Sequence, residues 1–143
     1  MADSVLDATV VAFSNGDLAG RRRGNALDTR LKLLEQVVEQ RRPIRYNLKL
    51  RAEYIQHLLV NRNDIIALFV AALDSPIATF VPRNTLSRQL WAEAHACRWP
   101  AHDQHLLAAA IDGDQPTLIV TENLLANCGE GIRRRLQISV RKV

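Results

Sequence analysis

The stretch DQHLLAAAIDGDQPTLIVTEN, residues 103–123, decides how this chain is expected to fold. His102 and Asp103 open a helix that runs through Leu106, Leu107 and three alanines to Ile111, and Asp112-Gly113-Asp114 stops it. Thr117 to Thr121 is then a short, β-rich apolar run, which reads as a strand buried on both faces. A helix that leads through one turn into a doubly buried strand is half of a parallel crossover unit.

Upstream, the same grammar repeats. Ser4 to Phe13 is dense in Val, Ala and Thr and ends at Ser14-Asn15-Gly16-Asp17, which predicts a first strand followed by a turn. Residues 14–24 hold three glycines and the triplet Arg21, Arg22, Arg23, a loop expected to be mobile or to order only on binding. A helix is expected from about Asn25, with Leu27, Leu31, Leu34 and Val38 on one face, ending at Pro43. Ile44 and Tyr46 alternate with Arg45 as a short strand, and Asn47 caps a helix in which Leu50, Tyr54 and Leu58 share a face. Further helices are expected from Asn63 or Asp64 to Leu73 and from Asn84 through Leu86, Leu90, Ala94 and Cys97, with Leu136, Ile138 and Val140 as a last strand. Strands separated by helices imply a parallel sheet covered on both faces, with ligands gathering beyond the carboxyl ends of its strands.

At 143 residues and 48% apolar, the chain fits one domain with one core. No window approaches the roughly 20 apolar residues that span a bilayer. The acid near the N-terminus also differs from the basic start of a secretory signal, so a cytoplasmic address without membrane contact is the expectation. Cys97 and Cys128 form no CxxC pair, which argues against a disulfide framework or a structural zinc site. The formal charge is +4, and 16 of the 19 basic residues are arginines, a bias that suits bidentate contact with phosphate or carboxylate. Arg21–Arg23, Arg41–Arg42 and Arg133–Arg135 carry it, as solvated loops or partner contacts on one reading and as phosphate contacts on the other.

Three carboxylates stand at the margins of apolar segments: Asp7 in SVLDATVV, Glu53 in KLRAEYIQHL, and Asp103. Acids so placed persist by protonating, by pairing with bases or by sharing a divalent cation. The order of an apolar strand with Asp, a helix with Glu, an Asp before LLAAA and an apolar strand closing on Thr-x-Asn resembles the PIN domain family of metal-dependent nucleases, over nearly the whole chain. The resemblance implies a three-layer α/β/α sandwich with a mainly parallel sheet. It places the family's acids on Asp7, Glu53 and Asp103 as ligands of Mg²⁺ or Mn²⁺, with Thr9, Thr121 and Glu122 in support. The fourth acid, two residues after the threonine, falls on Asn123, whose carbonyl orients a ligand without adding charge. Arg21, Arg22 and Arg23 would contact nucleic acid.

The chemistry implied is hydrolysis of a phosphodiester in single-stranded or looped RNA, the metal polarising the phosphoryl oxygens and activating a water. The family's frequent role also implies a toxin with a cognate antitoxin protein, and a homodimer. Beside this stands a catalytically weak or inactive module of the same fold that binds RNA or a protein, which Asn123 favours. In a third reading the acids are only helix caps and salt-bridge partners for the arginines. His102, His105, Trp91, Trp99 and Tyr54 are read as surface or packing residues. A receiver-like phosphorylation domain is set aside, because no paired Asp-Asp precedes a suitably placed Lys.

Overall fold

The computed structural model describes residues 2–12, 25–61 and 64–143. Five short strands form one all-parallel sheet in the order β3-β2-β1-β4-β5: β1 Ser4–Leu6, β2 Ile44–Tyr46, β3 Ala78–Phe80, β4 Thr117–Val120 and β5 Ser139–Lys142. Around them, among the described residues, lie eight α-helices: α1 Ala8–Ala12, α2 Asn25–Glu39, α3 Leu48–Asn61, α4 Asp64–Ala72, α5 Arg88–Ala96, α6 Gln104–Ala110, α7 Asn123–Asn127 and α8 Gly129–Leu136. A 3₁₀ turn, Ala101–Asp103, leads into α6.

Right-handed crossovers dictate the layers. The chain steps from β1 to β2 to β3 in one direction, which puts α2, α3 and α4 on one face. It then steps back across β1 to β4 and β5, which puts α5, α6 and α8 on the other, and the result is a three-layer α/β/α sandwich. The direction of travel reverses between β1 and β4, the topological switch point where a crevice opens at the carboxyl ends of the strands. Leu6 of β1 stands opposite Ile119 of β4 there, so Asp7 and Thr121, just beyond, are near neighbours.

The core explains the burial pattern. Val5, Leu118 and Val120 are fully enclosed under α6, whose own Leu106 to Ala110 are buried all round. Small Ala108, Ala109 and Ala110 let that helix approach the sheet closely, where burying each large apolar neighbour contributes roughly 1.5–3 kcal/mol. On the other face α3 buries Leu50 and Tyr54, with the Tyr54 ring edge-on to Phe69 of α4 at 5.1 Å. In α2 the enclosed stripe is Leu33, Leu34 and Val37, with Leu31 and Val38 only half-buried, so the helix is turned from the face expected.

Several boundaries differ from expectation. The first strand ends at Leu6, not Phe13, because Asp7 starts a helix: its carbonyl accepts from Val10 N and its carboxylate from Thr9 N. Burial of Val10 and Val11 then overrides their β-branched preference. Asn84 does not open α5; it accepts from Lys49 N, and Ser87 caps the helix through Leu90 N. Leu136 ends α8 instead of starting the last strand, since Gln137 takes the left-handed conformation (φ 59°) and its N–H closes on Arg133 O. The alternation of Leu136, Ile138 and Val140 combines a helix end, a linker and β5. Strand β3 and helices α7 and α8 were not foreseen; β3, with Thr79 and Phe80 exposed, is an edge strand with little apolar signal.

Candidate functional site at the switch point

Asp7 is the best-enclosed carboxylate, 7% exposed. Its N–H donates to Ile119 O at 2.9 Å, locking it to the end of β4. Thr9 Oγ1 donates to Asp7 Oδ2 at 3.0 Å and lies 2.6 Å from Thr121 Oγ1. A hydroxyl has one proton to give, so the chain runs from Thr121 through Thr9 to the carboxylate. Burial pushes the Asp7 pKa from 3.8 up to about 6 against the lowering effect of the Thr9 bonds, and the charges of Asp103 and Glu122 raise it further. No basic side chain bonds to it among the described residues.

Asp103 stands at the junction of the 3₁₀ turn and α6. It stands at the N-cap of α6, where the helix dipole favours an acid, and its carboxylate makes no capping bond. Trp99 Nε1 donates to its carbonyl at 2.9 Å, pinning the backbone. Burial raises the Asp103 pKa, opposed by His102 and His105 and reinforced by Glu53. His102 Nε2 lies 3.2 Å from Asp103 Oδ2, and Lys49 Nζ donates to His102 O on the rim.

Glu53 reaches the site from α3, and the adjacent Tyr54 determines where that helix lies: its hydroxyl donates to Leu6 O, the last residue of β1. Tyr54 is therefore more than a packing residue, and its burial drives its pKa well above 10. The Glu53 Oε1 atom is 3.1 Å from His105 Nε2. His105 is 4% exposed and neither ring nitrogen makes a hydrogen bond, so its approach to Glu53 is a close contact without hydrogen-bond alignment. His105 thus belongs to the site rather than to the surface. Its signal in the sequence was the i, i+2 spacing from Asp103 at a helix start.

Asn47 holds these parts in register. Fully buried, it accepts from Leu50 N to cap α3 and donates through Nδ2 to His105 O and Arg83 O. One side chain therefore ties the Glu53 helix to the Asp103 helix, a role that capping alone did not suggest.

The remaining expected residues divide. Glu122 is exposed at the entrance to α7 and acts on Asp7 through its charge. Asn123 is also exposed, and its Oδ1 accepts from Lys142 Nζ of β5, which places a cation beside the position of the fourth acid. Arg21, Arg22 and Arg23 lie outside the described residues. Of the C-terminal cluster, Arg135 pairs with Glu93 at 2.8 Å, and all three arginines sit in the last turn of α8, where the helix dipole favours them. Cys97 and Cys128 are free thiols.

Carboxylates at the site are hard oxygen donors, and an enclosed acid forced toward protonation by its neighbours gains from a cation. This donor set fits Mg²⁺ or Mn²⁺ in kind, with Asp7 and Asp103 as direct ligands and Glu53 through water. Among the described residues no three His, Cys, Asp or Glu side chains form a ready-made cage. No protein-family model matches the sequence, and no curated protein shows significant similarity to it. Fold and site define an α/β protein in which the charges of Asp7, Asp103 and Glu53 act on one another near the carboxyl ends of a five-stranded parallel sheet. No described helix is long and apolar enough to cross a membrane.

Proposed function

We propose that this protein is a PIN-like, Mg²⁺- or Mn²⁺-dependent endoribonuclease that hydrolyses phosphodiester bonds in single-stranded or looped RNA. The observation that carries the reading is Asp7: a carboxylate enclosed at the end of β1, its pKa raised to about 6 by burial, bonded to Thr9 and, among the described residues, to no basic side chain. A bound divalent ion supplies Lewis acidity at the phosphoryl group. Asp7 and Asp103 hold it, Thr9 and Thr121 fix the Asp7 rotamer, and Glu53, aligned by Tyr54 and set beside His105, orients a water. The basic composition supports an anionic substrate. Small size and the family resemblance support the toxin of a toxin–antitoxin pair, with an antitoxin covering the acids and a homodimer as the working form, in the cytoplasm.

The second reading, a module that binds RNA or a protein without cutting, is favoured by Lys142 on Asn123, since a fixed amine lowers the affinity of that corner for a metal. Incubation of the protein with mixed single-stranded and structured RNA, in Mn²⁺, Mg²⁺ or EDTA, decides between them. Cleavage that needs metal and disappears in Asp103→Asn establishes the nuclease; intact RNA with folded protein establishes the binding module.

A further inference from the structure

Among the described residues no helix on the α2 face lies over β5, and beside α2 the sheet borders a trough. Two adjoining cavities, of about 420 and 520 Å³, share Leu33 and Arg141 in their walls along this face. Lys32 lines one part of it and Arg42 the other, with Arg141 between them, while Gln36 and Gln40 add hydrogen-bonding groups and no Asp or Glu lines either part. Ile119 and Arg141 are cross-strand partners, so Arg141 projects from the same sheet face as Ile119, into the trough. Lys142 projects from the opposite face, toward Asn123.

None of Lys32, Arg42 and Arg141 is in an ion pair among the described residues, unlike Arg45, Arg51, Arg83 and Arg135. The upper end of the trough also adjoins the acids. Val143, which lines it, donates its N–H to Val120 O, and Thr121 follows directly. A row of cations that have no ion pair among the described residues, with amide side chains between them, matches a polyanionic strand in charge.

We propose that this trough is a track for the backbone of single-stranded RNA, with Lys32, Arg42 and Arg141 contacting phosphates along it and leading the strand to the crevice. The inference rests on the nuclease reading for the identity of the strand and its destination. The test is fluorescence anisotropy with a labelled single-stranded oligouridylate in EDTA over a range of salt, comparing the wild-type chain, the triple variant Lys32→Ala/Arg42→Ala/Arg141→Ala, and Arg133→Ala/Arg134→Ala on the opposite face. At about 0.7 of logarithmic slope per phosphate contact on single strands, the triple variant is expected to flatten the salt dependence by about 2, and the control by nothing. Equal slopes for wild type and triple variant, or an equal drop in the control, overturn the track. An oligoglutamate bound more tightly than the oligouridylate and lost in the same variant also overturns it, in favour of an acidic protein. Cleavage by the same preparations in Mn²⁺ separates the two ideas: no cleavage beside a flattened slope removes the nuclease and leaves the track, while cleavage beside an unchanged slope does the reverse.

Discussion

Strand β1 is flanked by two aspartates whose circumstances differ. At its start, Asp3 accepts from Asp114 N at 2.9 Å and faces Arg45 NH1 at 3.9 Å, while Arg45 itself donates to Ala109 O and Ile111 O at the end of α6. At its end, Asp7 has two threonines, the charges of two further acids and, among the described residues, no base bonded to it. The first acid is part of the framework, joining the amino edge of the sheet to a helix terminus. The second is held in a costly state that the fold alone does not explain. In a parallel sheet the two edges are not equivalent, and electrostatic need accumulates at the carboxyl edge, where ligands bind.

The sharpest way to break this comparison is to neutralise each acid. Asp7→Asn and Asp103→Asn are expected to reduce Mn²⁺-dependent RNA cleavage on the order of 100-fold or more, as loss of a metal-site residue does, when initial rates are compared. Asp3→Asn should leave those rates unchanged. Stability should respond in the opposite sense. Folding raises the Asp7 pKa from 3.8 to about 6, so between those values the folded chain keeps a proton that the unfolded chain has released. The stability due to this group is complete below about pH 4 and is lost as pH rises through about 6, by about 3 kcal/mol in all. Urea melts of wild type against Asp7→Asn from pH 4 to pH 8 should show a steeper fall in the wild type, the difference being the Asp7 contribution. Added Mn²⁺ at pH 7 should restore stability to the wild type and not to the variant; a flat pH profile would sink the claim that Asp7 is strained.

Arg45→Ala tests the other end. Three contacts of a side chain that is only 11% exposed are removed, leaving two helix-terminal carbonyls without this donor and Asp3 without its ion pair. A loss of about 3 kcal/mol is expected by denaturant titration, with metal response retained. Asn47→Ala should cost about 2 kcal/mol, since it uncaps α3 and leaves the buried His105 carbonyl without its donor. Because it also uncouples the Glu53 and Asp103 helices, it should lower cleavage more than an equally destabilising substitution elsewhere. The smallest effect belongs to Asn123→Asp. The new acid meets Lys142 at an exposed position, so a gain in apparent Mn²⁺ affinity of less than about tenfold is expected by titration, and Lys142→Ala in the same background should enlarge it.

How much of this was legible beforehand depends on where the determining contact lies. The helix-turn-strand unit of residues 103–120, the cap at Asn47 and the helix from Asp64 follow local rules, and each formed nearly as read. The first strand was overextended because Ala8 to Ala12 looks β-rich, and only the bond from Thr9 N to the Asp7 carboxylate, with burial against α3, makes it a helix. Glu53 and Asp103 were legible as acids beside apolar runs. His105 and Tyr54 were not legible as members of the site, since their roles rest on partners 52 and 48 positions away, Glu53 and Leu6.

The sequence by itself determined the alternation of helix and strand, the parallel sheet it forces and the presence of carboxylates at segment ends, because these depend on periodicity and turn chemistry within a few residues. Tertiary structure decided which acids meet, which arginines are neutralised and which face of β5 stays open. Those outcomes depend on the order of strands in the sheet: reversal of direction between β1 and β4 brings Asp7, Thr121, Glu53 and Asp103 to one crevice, and leaves Arg141 facing a trough.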